Sequence, residues 1–254
     1  MSNPTTQIGR PLGWRPPQVL GRLHVGIPAT SVRFETLPKE VVLAGLPPVY
    51  NQGSVGSCTA HALAGAVEIL HTHQNLPALL PDRMAIYWHE RAAEGTIMED
   101  AGALLADGVA TLRRGYAPEV QYISTWSQEW VTPPADLPHD APRLVNSDPL
   151  AIDTGQVMYA IAAGFPVVVG VQIPRSWEDP SGDTLPLPGA PSIGGHAVCL
   201  VGYNREGDRV VFRLRNSWGT EWASNGYAWM PSEYLTLGIC GEAYALRAVR
   251  NLRA

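Results

Sequence analysis

The spacing of hydrophobic positions changes near the middle of the chain. In CTAHALAGAVEILHTH, residues 58–73, Leu63, Val67 and Leu70 recur at helical intervals. Ala60, Ala64 and Ala66 keep this predicted helix slim enough to be buried. PDRMAIYWHERAAEG predicts a second helix, with Pro81 early and Gly95 at its end. ALLADGVATLRRG predicts a third, in which Leu105, Val109 and Leu112 share a face and Gly115 stops the run. A shorter helix in DTGQVMYAIAAG ends at Gly164 and Pro166. Beyond it PVVVGVQI, HAVCLVGY, RVVFRLRN and GYAWMP read as strands bounded by turn residues. Between the first two strands, RSWEDPSGDTLPLPGAPSIGG is rich in Pro, Gly, Ser and Asp and reads as a loop. A helical half followed by a strand half predicts an α+β protein with a cleft between two lobes. The expected division is an extended segment over 1–45 and a main domain over 46–254. Within that domain the helical lobe covers about 46–150 and the strand-rich lobe about 151–254.

The chain has 254 residues, 45% of them hydrophobic and 16% charged, which suffices for a folded core. The net charge of -5 argues against nucleic acid as a partner, because phosphate binding needs a concentrated basic face. No apolar run reaches the length of a membrane span. The first residues, MSNPTTQIGRPLGWRPPQVL, are polar and proline-rich, without the apolar stretch of a secretory signal. Three cysteines, Cys58, Cys199 and Cys240, do not make a disulfide framework. The expectation is a reduced protein in the cytoplasm, with Cys199 and Cys240 as buried structural thiols.

Three segments carry candidate chemistry. In NQGSVGSCTAHALAG, Cys58 stands where a glycine-containing turn becomes a helix. Unpaired N–H groups and the helix dipole at such a point favour a thiolate. Gln52 offers an amide donor to an oxyanion formed when that thiolate attacks a carbonyl. On this segment alone, Cys58 reads equally as a nucleophile or as one more buried thiol. In SIGGHAVCLVGYN, His196 opens an apolar strand after two glycines, which leave room beside its ring. A neutral imidazole there could take a thiol proton, although a histidine at a strand start is often only structural. In RLRNSWGTEWASNGYAWMP, Asn216 ends a strand, and its amide oxygen could accept the second ring N–H of a histidine. Trp218 follows it closely enough to shield that bond, while Trp222 and Trp229 fit simple packing.

Taken together, Gln52-Gly53-Ser54-Val55-Gly56-Ser57-Cys58, Gly195-His196-Ala197 and Asn216-Ser217-Trp218-Gly219 resemble the active-site segments of papain-like (C1) cysteine peptidases. The resemblance covers about residues 45–246, and is nearest to bacterial members without the long helical propeptide. It implies the papain-like two-lobe fold, with Cys58 as nucleophile and His196 as general base and acid. It implies that Asn216 orients the imidazole and that Gln52 joins the Cys58 backbone N–H in an oxyanion hole. Asp100-Ala101-Gly102 aligns with the stretch that pairs a peptide substrate through its backbone, so Gly102 and Ala101 are candidate substrate contacts, with Gly195 and Trp218 across the cleft. Val55 stands where secreted members carry a disulfide cysteine, and Thr59 where an aromatic residue is usual.

The implied reaction needs no metal or cofactor. His71 and His73 are two positions apart and do not share a helix face, so they make a poor metal site. Glu68 and Glu90 read as solvated or paired helix residues. A helix N-terminus beside an imidazolium predicts a Cys58 thiol more acidic than usual. The expected partner is a peptide or acyl substrate in the interlobe cleft. Two alternatives share these residues: an acyl-thioester transferase or cyclase, and a catalytically silent binding protein. Finally, Trp14 within GWRPPQ is an apolar anchor on a stiff segment, so residues 10–25 are expected either to pack near the cleft and limit access to Cys58 or to strap the back of the protein.

Overall fold

The first helix, α1 (Cys58–His73), is buried on almost every side, from Cys58 through Val67 and on to Leu70. That is why its sequence lacks a polar face: alanines and Gly65 let neighbours approach all round it. The computed structural model describes residues 9–17, 36–119 and 134–250. Helices α2 (Arg83–Glu94) and α3 (Leu105–Arg114) pack on one side of α1. An antiparallel sheet packs on the other.

The local signals explain the helix ends. Asp82 caps α2 by accepting from the backbone N–H groups of Met84 and Ala85, and Gly95 closes it in the left-handed region at φ 71°. Asp153 caps α4 (Thr154–Ala162) through the N–H of Gln156. No side chain caps α1: Ser57 makes no such bond, which leaves first-turn N–H groups facing the cleft.

Among the described residues the sheet has seven strands, six in the order β2-β7-β3-β4-β5-β6 and β1 (Glu40–Val42) paired to β4. Strands β3 (Val167–Pro174), β4 (Ser192–Glu206), β5 (Arg209–Arg215) and β6 (Tyr227–Pro231) correspond to the four apolar runs. Two differences from the sequence reading stand out. Strands β2 (Arg143–Pro149) and β7 (Cys240–Arg250) join the sheet although neither showed a strand signal. The stretch read as a loop also ends early: Ser192–Gly195 already belongs to β4, paired with β3. Arg175–Trp177 is a short 3-10 turn, and α5 (Glu233–Thr236) lies between β6 and β7. Trp177, Trp222 and Tyr234 knit this loop to the sheet: Trp222 Nε1 donates to the Trp177 carbonyl at 2.7 Å and Trp177 Nε1 to the Tyr234 hydroxyl at 3.0 Å.

No helix among the described residues is long and apolar enough to cross a membrane. Cys58, Cys199 and Cys240 are all buried and unpaired.

Candidate active site

Cys58 is the first residue of α1, and β4 places His196 against it from the other side. The backbone N–H groups of Ala197, Gly13 and Thr59 all face the Cys58 sulfur. His196 lies in the register of β4 opposite Val171 of β3, so its position is set by the sheet. Its Nε2 meets the Asn216 Oδ1 at 2.7 Å. The same Oδ1 accepts the Ser217 backbone N–H at 2.8 Å, which fixes the amide with its oxygen toward the ring. The ring therefore carries its proton on Nε2. Its Nδ1 is buried and has no hydrogen-bond partner, so its lone pair is free.

His196 Nδ1 makes no hydrogen bond to the sulfur, which faces backbone N–H groups, that of Gly13 among them. Trp218 stacks on His196 with ring centroids 4.4 Å apart and planes at 24°, and it is buried. It covers the His196–Asn216 pair, so its contact is with the imidazole more than with the cleft.

Gln52 is also buried and firmly oriented. Its Oε1 accepts from the Ser217 hydroxyl at 2.6 Å, and its Nε2 donates to the Val55 carbonyl at 2.7 Å. The remaining reach of Nε2 is toward the carbonyl of Pro11, at 3.4 Å. Asp100 ties the turn before Cys58 to the helical lobe: its carboxylate accepts from the Gly56 N–H at 3.0 Å and from the Tyr87 hydroxyl. Thr59, which replaces the expected aromatic residue, donates to the Glu90 carboxylate at 2.7 Å. Glu90 is thus not solvated; it is fully buried, and burial pushes its carboxyl well above the usual range.

Residues 9–17 run through this site as a strap. The Trp14 N–H donates to the Gly195 carbonyl at 3.1 Å. On the opposite lip, the Ala103 N–H donates to the Gly13 carbonyl at 2.6 Å and the Arg15 N–H to the Ala103 carbonyl at 3.0 Å. Arg15 also pairs with Glu94, and the Arg10 N–H donates to Glu178 at 2.9 Å. The expected gating segment was 10–25; its residues 18–25 lie outside the described residues.

The strap changes two readings. On the helical lip the strap backbone pairs with Ala103. The Gly102 N–H is taken by the Tyr87 hydroxyl at 3.1 Å. Gly102 is needed for clearance, since a Cβ there would fall 2.0 Å from the Gly13 carbonyl oxygen. The thiol, in turn, is not acidified in this covered state. Burial pushes Cys58 up to about 12, against the smaller opposing effect of the surrounding N–H groups, and burial pushes His196 down to about 4. Desolvation outweighs the helix N-terminus because no water reaches either group. Gln52, Cys58, His196, Asn216 and Gly195 are thus brought together. Sequence reasoning missed Ala103 and Glu242, the latter beneath Trp14; Gly241 just before Glu242 leaves the space that the indole fills.

Xylellain, a cysteine protease from Xylella fastidiosa, superposes with a TM-score of 0.78 at 30% identity, over 94% of this chain and 92% of its own. The chain belongs to the papain family of cysteine proteases. The profile described as papain family cysteine protease matches residues 141–247. An uncharacterized peptidase C1-like protein of Acanthamoeba polyphaga mimivirus is 33% identical over 202 residues, which is 73% of this chain and 64% of that protein. The recombinant stem bromelain precursor, at 17% identity and a TM-score of 0.71 over 95% of this chain and 78% of its own, shares the papain-like fold. The chain spans slightly under two thirds of the mimivirus relative and 61% of a cysteine protease of Blomia tropicalis.

Proposed function

We propose that this papain-family chain is a cysteine peptidase that cleaves peptide bonds through an acyl-enzyme on Cys58. The observation that carries the reading is the His196 ring: Nε2 is held by Asn216 Oδ1 at 2.7 Å, and a free Nδ1 shares a buried site with the sulfur at the start of α1.

With a substrate in place of the strap, Nδ1 takes the thiol proton as sulfur attacks the scissile carbonyl. The carbonyl oxygen becomes an oxyanion, accepting from Gln52 Nε2 and the Cys58 backbone N–H. The C–N bond breaks and the leaving nitrogen takes the proton from Nδ1. Water, deprotonated by the same nitrogen, then hydrolyses the thioester and restores the thiol. The strap mimics parts of this arrangement. The Pro11 carbonyl sits on the Gln52 donor, and the Trp14 N–H occupies the Gly195 carbonyl. It thereby limits access to Cys58. The two-lobe reading, with a peptide lying between Ala103 and Gly195, is supported by these same pairings. Three unpaired buried thiols support a reducing working compartment.

A peptide-library digest read by mass spectrometry tests the activity, using the full chain, a strap-release variant and a Cys58→Ala control. Cleavage that disappears in the control is the expected result. Labelling of Cys58 by an epoxide without any cleavage would overturn the peptidase reading and favour an acyl transferase.

A further inference from the structure

Glu90 lies behind the nucleophile, and the chemistry proposed above does not use it. It belongs to the buried face of α2 and is fully enclosed. Its Oε2 is 2.7 Å from the hydroxyl of Thr59, the residue next to Cys58 in the first turn of α1. Its Oε1 is buried and has no hydrogen-bond partner. Helix α3 closes over that oxygen at a glycine: a Cβ on Gly108 would collide with both Oε1 and the Leu63 Cδ1. The adjacent Arg91 turns its guanidinium elsewhere. Its Nη1 donates to the carbonyls of Ile97 at 2.6 Å and Glu99 at 3.2 Å, and its Cζ lies 4.6 Å from the centre of the Tyr87 ring. The other charges facing Glu90 are Asp107 on α3 and Glu242 on β7, both of which oppose an anion there, with Arg91 offsetting them. From α1 the titratable neighbour is Cys58, whose thiolate a charged Glu90 would oppose.

We infer that Glu90 is a positioning residue that works as a neutral carboxylic acid: its hydrogen bond with Thr59 seats the first turn of α1 beneath the nucleophile without placing an anion behind the thiolate. The inference rests on the peptidase reading. A carboxylate held by one hydroxyl, with its second oxygen against apolar atoms and helix backbone, would lose nearly all its hydration and regain little. A neutral carboxyl in the same place leaves one weak acceptor unmet, which costs far less. The arrangement also suits the reaction. The sulfur must carry negative charge before it attacks, and a like charge in the helix packing behind it would hold the thiol protonated. A proton kept on Glu90 removes that opposition, while the hydrogen bond still ties α1 to α2.

Infrared difference spectroscopy of the full-length protein against Glu90→Gln reads the proton directly. The carbonyl stretch of an un-ionised carboxylic acid should be present at neutral pH and vanish in the variant. Loss of a carboxylate band in its place overturns the inference. The consequence for the thiol is read in a full-length strap-release background, from the rate of Cys58 alkylation by iodoacetamide against pH. Glu90→Gln keeps a neutral partner for Thr59, so the midpoint of that profile should stay where it is. A midpoint moved to lower pH would show that a charge had been removed from beside the sulfur, and overturns the inference. Positioning is read through Thr59 in the same background. Thr59→Val keeps the shape without the hydroxyl and should lower kcat about tenfold at nearly constant KM, and Thr59→Ser should restore it. A kcat unmoved by Thr59→Val, or lost equally in Thr59→Ser, overturns the positioning role. Where Thr59→Val does not fold, the infrared band and the alkylation midpoint decide. If no peptide is ever cleaved, the peptidase reading fails, and those same two measurements still uphold or overturn the neutral Glu90.

Discussion

Gly13 lies so close to Gly56 that a Cβ on Gly13 would fall 1.7 Å from the Gly56 carbonyl oxygen. Gly56 is two residues before Cys58 and is held by Asp100, so it does not yield easily. Gly13→Ala should therefore lift the strap while touching none of the groups proposed for chemistry. Overpacking of this kind costs about 1–3 kcal/mol, enough to raise the uncovered population by about fivefold to 150-fold. The rate of Cys58 alkylation by iodoacetamide should rise accordingly, with an unchanged circular dichroism spectrum. An unchanged rate in a folded variant would leave the strap a mere structural tie.

Gln52 and Ser217 form a second testable pair. Removing one preorganised oxyanion donor typically costs about 10²–10³ in kcat. Gln52→Ala should show that loss with little change in KM. Ser217→Ala removes only the hydroxyl that orients the amide, and should cost about tenfold. A large rise in KM with constant kcat in Gln52→Ala would move this residue from transition-state to substrate binding.

The imidazole and its partner should differ in severity. His196→Ala should lower kcat by about 10²–10⁴, the usual range for a general base. Asn216→Ala should lower it less and shift the acid limb of the pH–rate profile, since Nε2 loses its acceptor. Equal losses with no shift of the limb would argue that Asn216 only supports the fold.

Strap docking should depend on pH from both sides. A histidine lowered to about 4 when covered binds its proton preferentially when uncovered, so the covered form weakens as pH falls below 6.5. A thiol raised to about 12 when covered releases its proton preferentially when uncovered, so the covered form weakens again as pH rises above 9.0. Hydrogen exchange at the Trp14 and Arg15 amides, corrected for intrinsic rates, should be slowest between these limits. A flat profile would show that neither group senses the strap.

Much of the scaffold was legible because its signals were local. The period of α1, the Gly95 stop of α2 and the apolar runs of β3 through β5 each sit within one segment. Strand β7 was not, because CGEAYALRAVR mixes glycine, alanine and charge without alternation, and its burial comes from β3 and β2 on either side. Strand β2 hides polar residues along an irregular edge pairing. At the site, Cys58, His196 and Asn216 were readable from local turn and strand chemistry. Ala103 was not, because which residue of Gly102-Ala103 pairs across the cleft depends on where Tyr87 points. Glu242 was hidden for a similar reason: its meaning comes from α3 and Trp14, both far away in sequence.

The strap belongs to the same chain as the cleft it fills, joined to it through residues 18–35. The covalent connection makes docking intramolecular, so it does not depend on the protein concentration. Modest contacts are then enough to keep the cleft filled. A single cut within the tether would leave every contact of Trp14, Gly13 and Pro11 intact, yet make their binding bimolecular. At micromolar enzyme the same segment would drift away. The tether, more than the contacts, makes closure persistent, and its scission would be a one-way event.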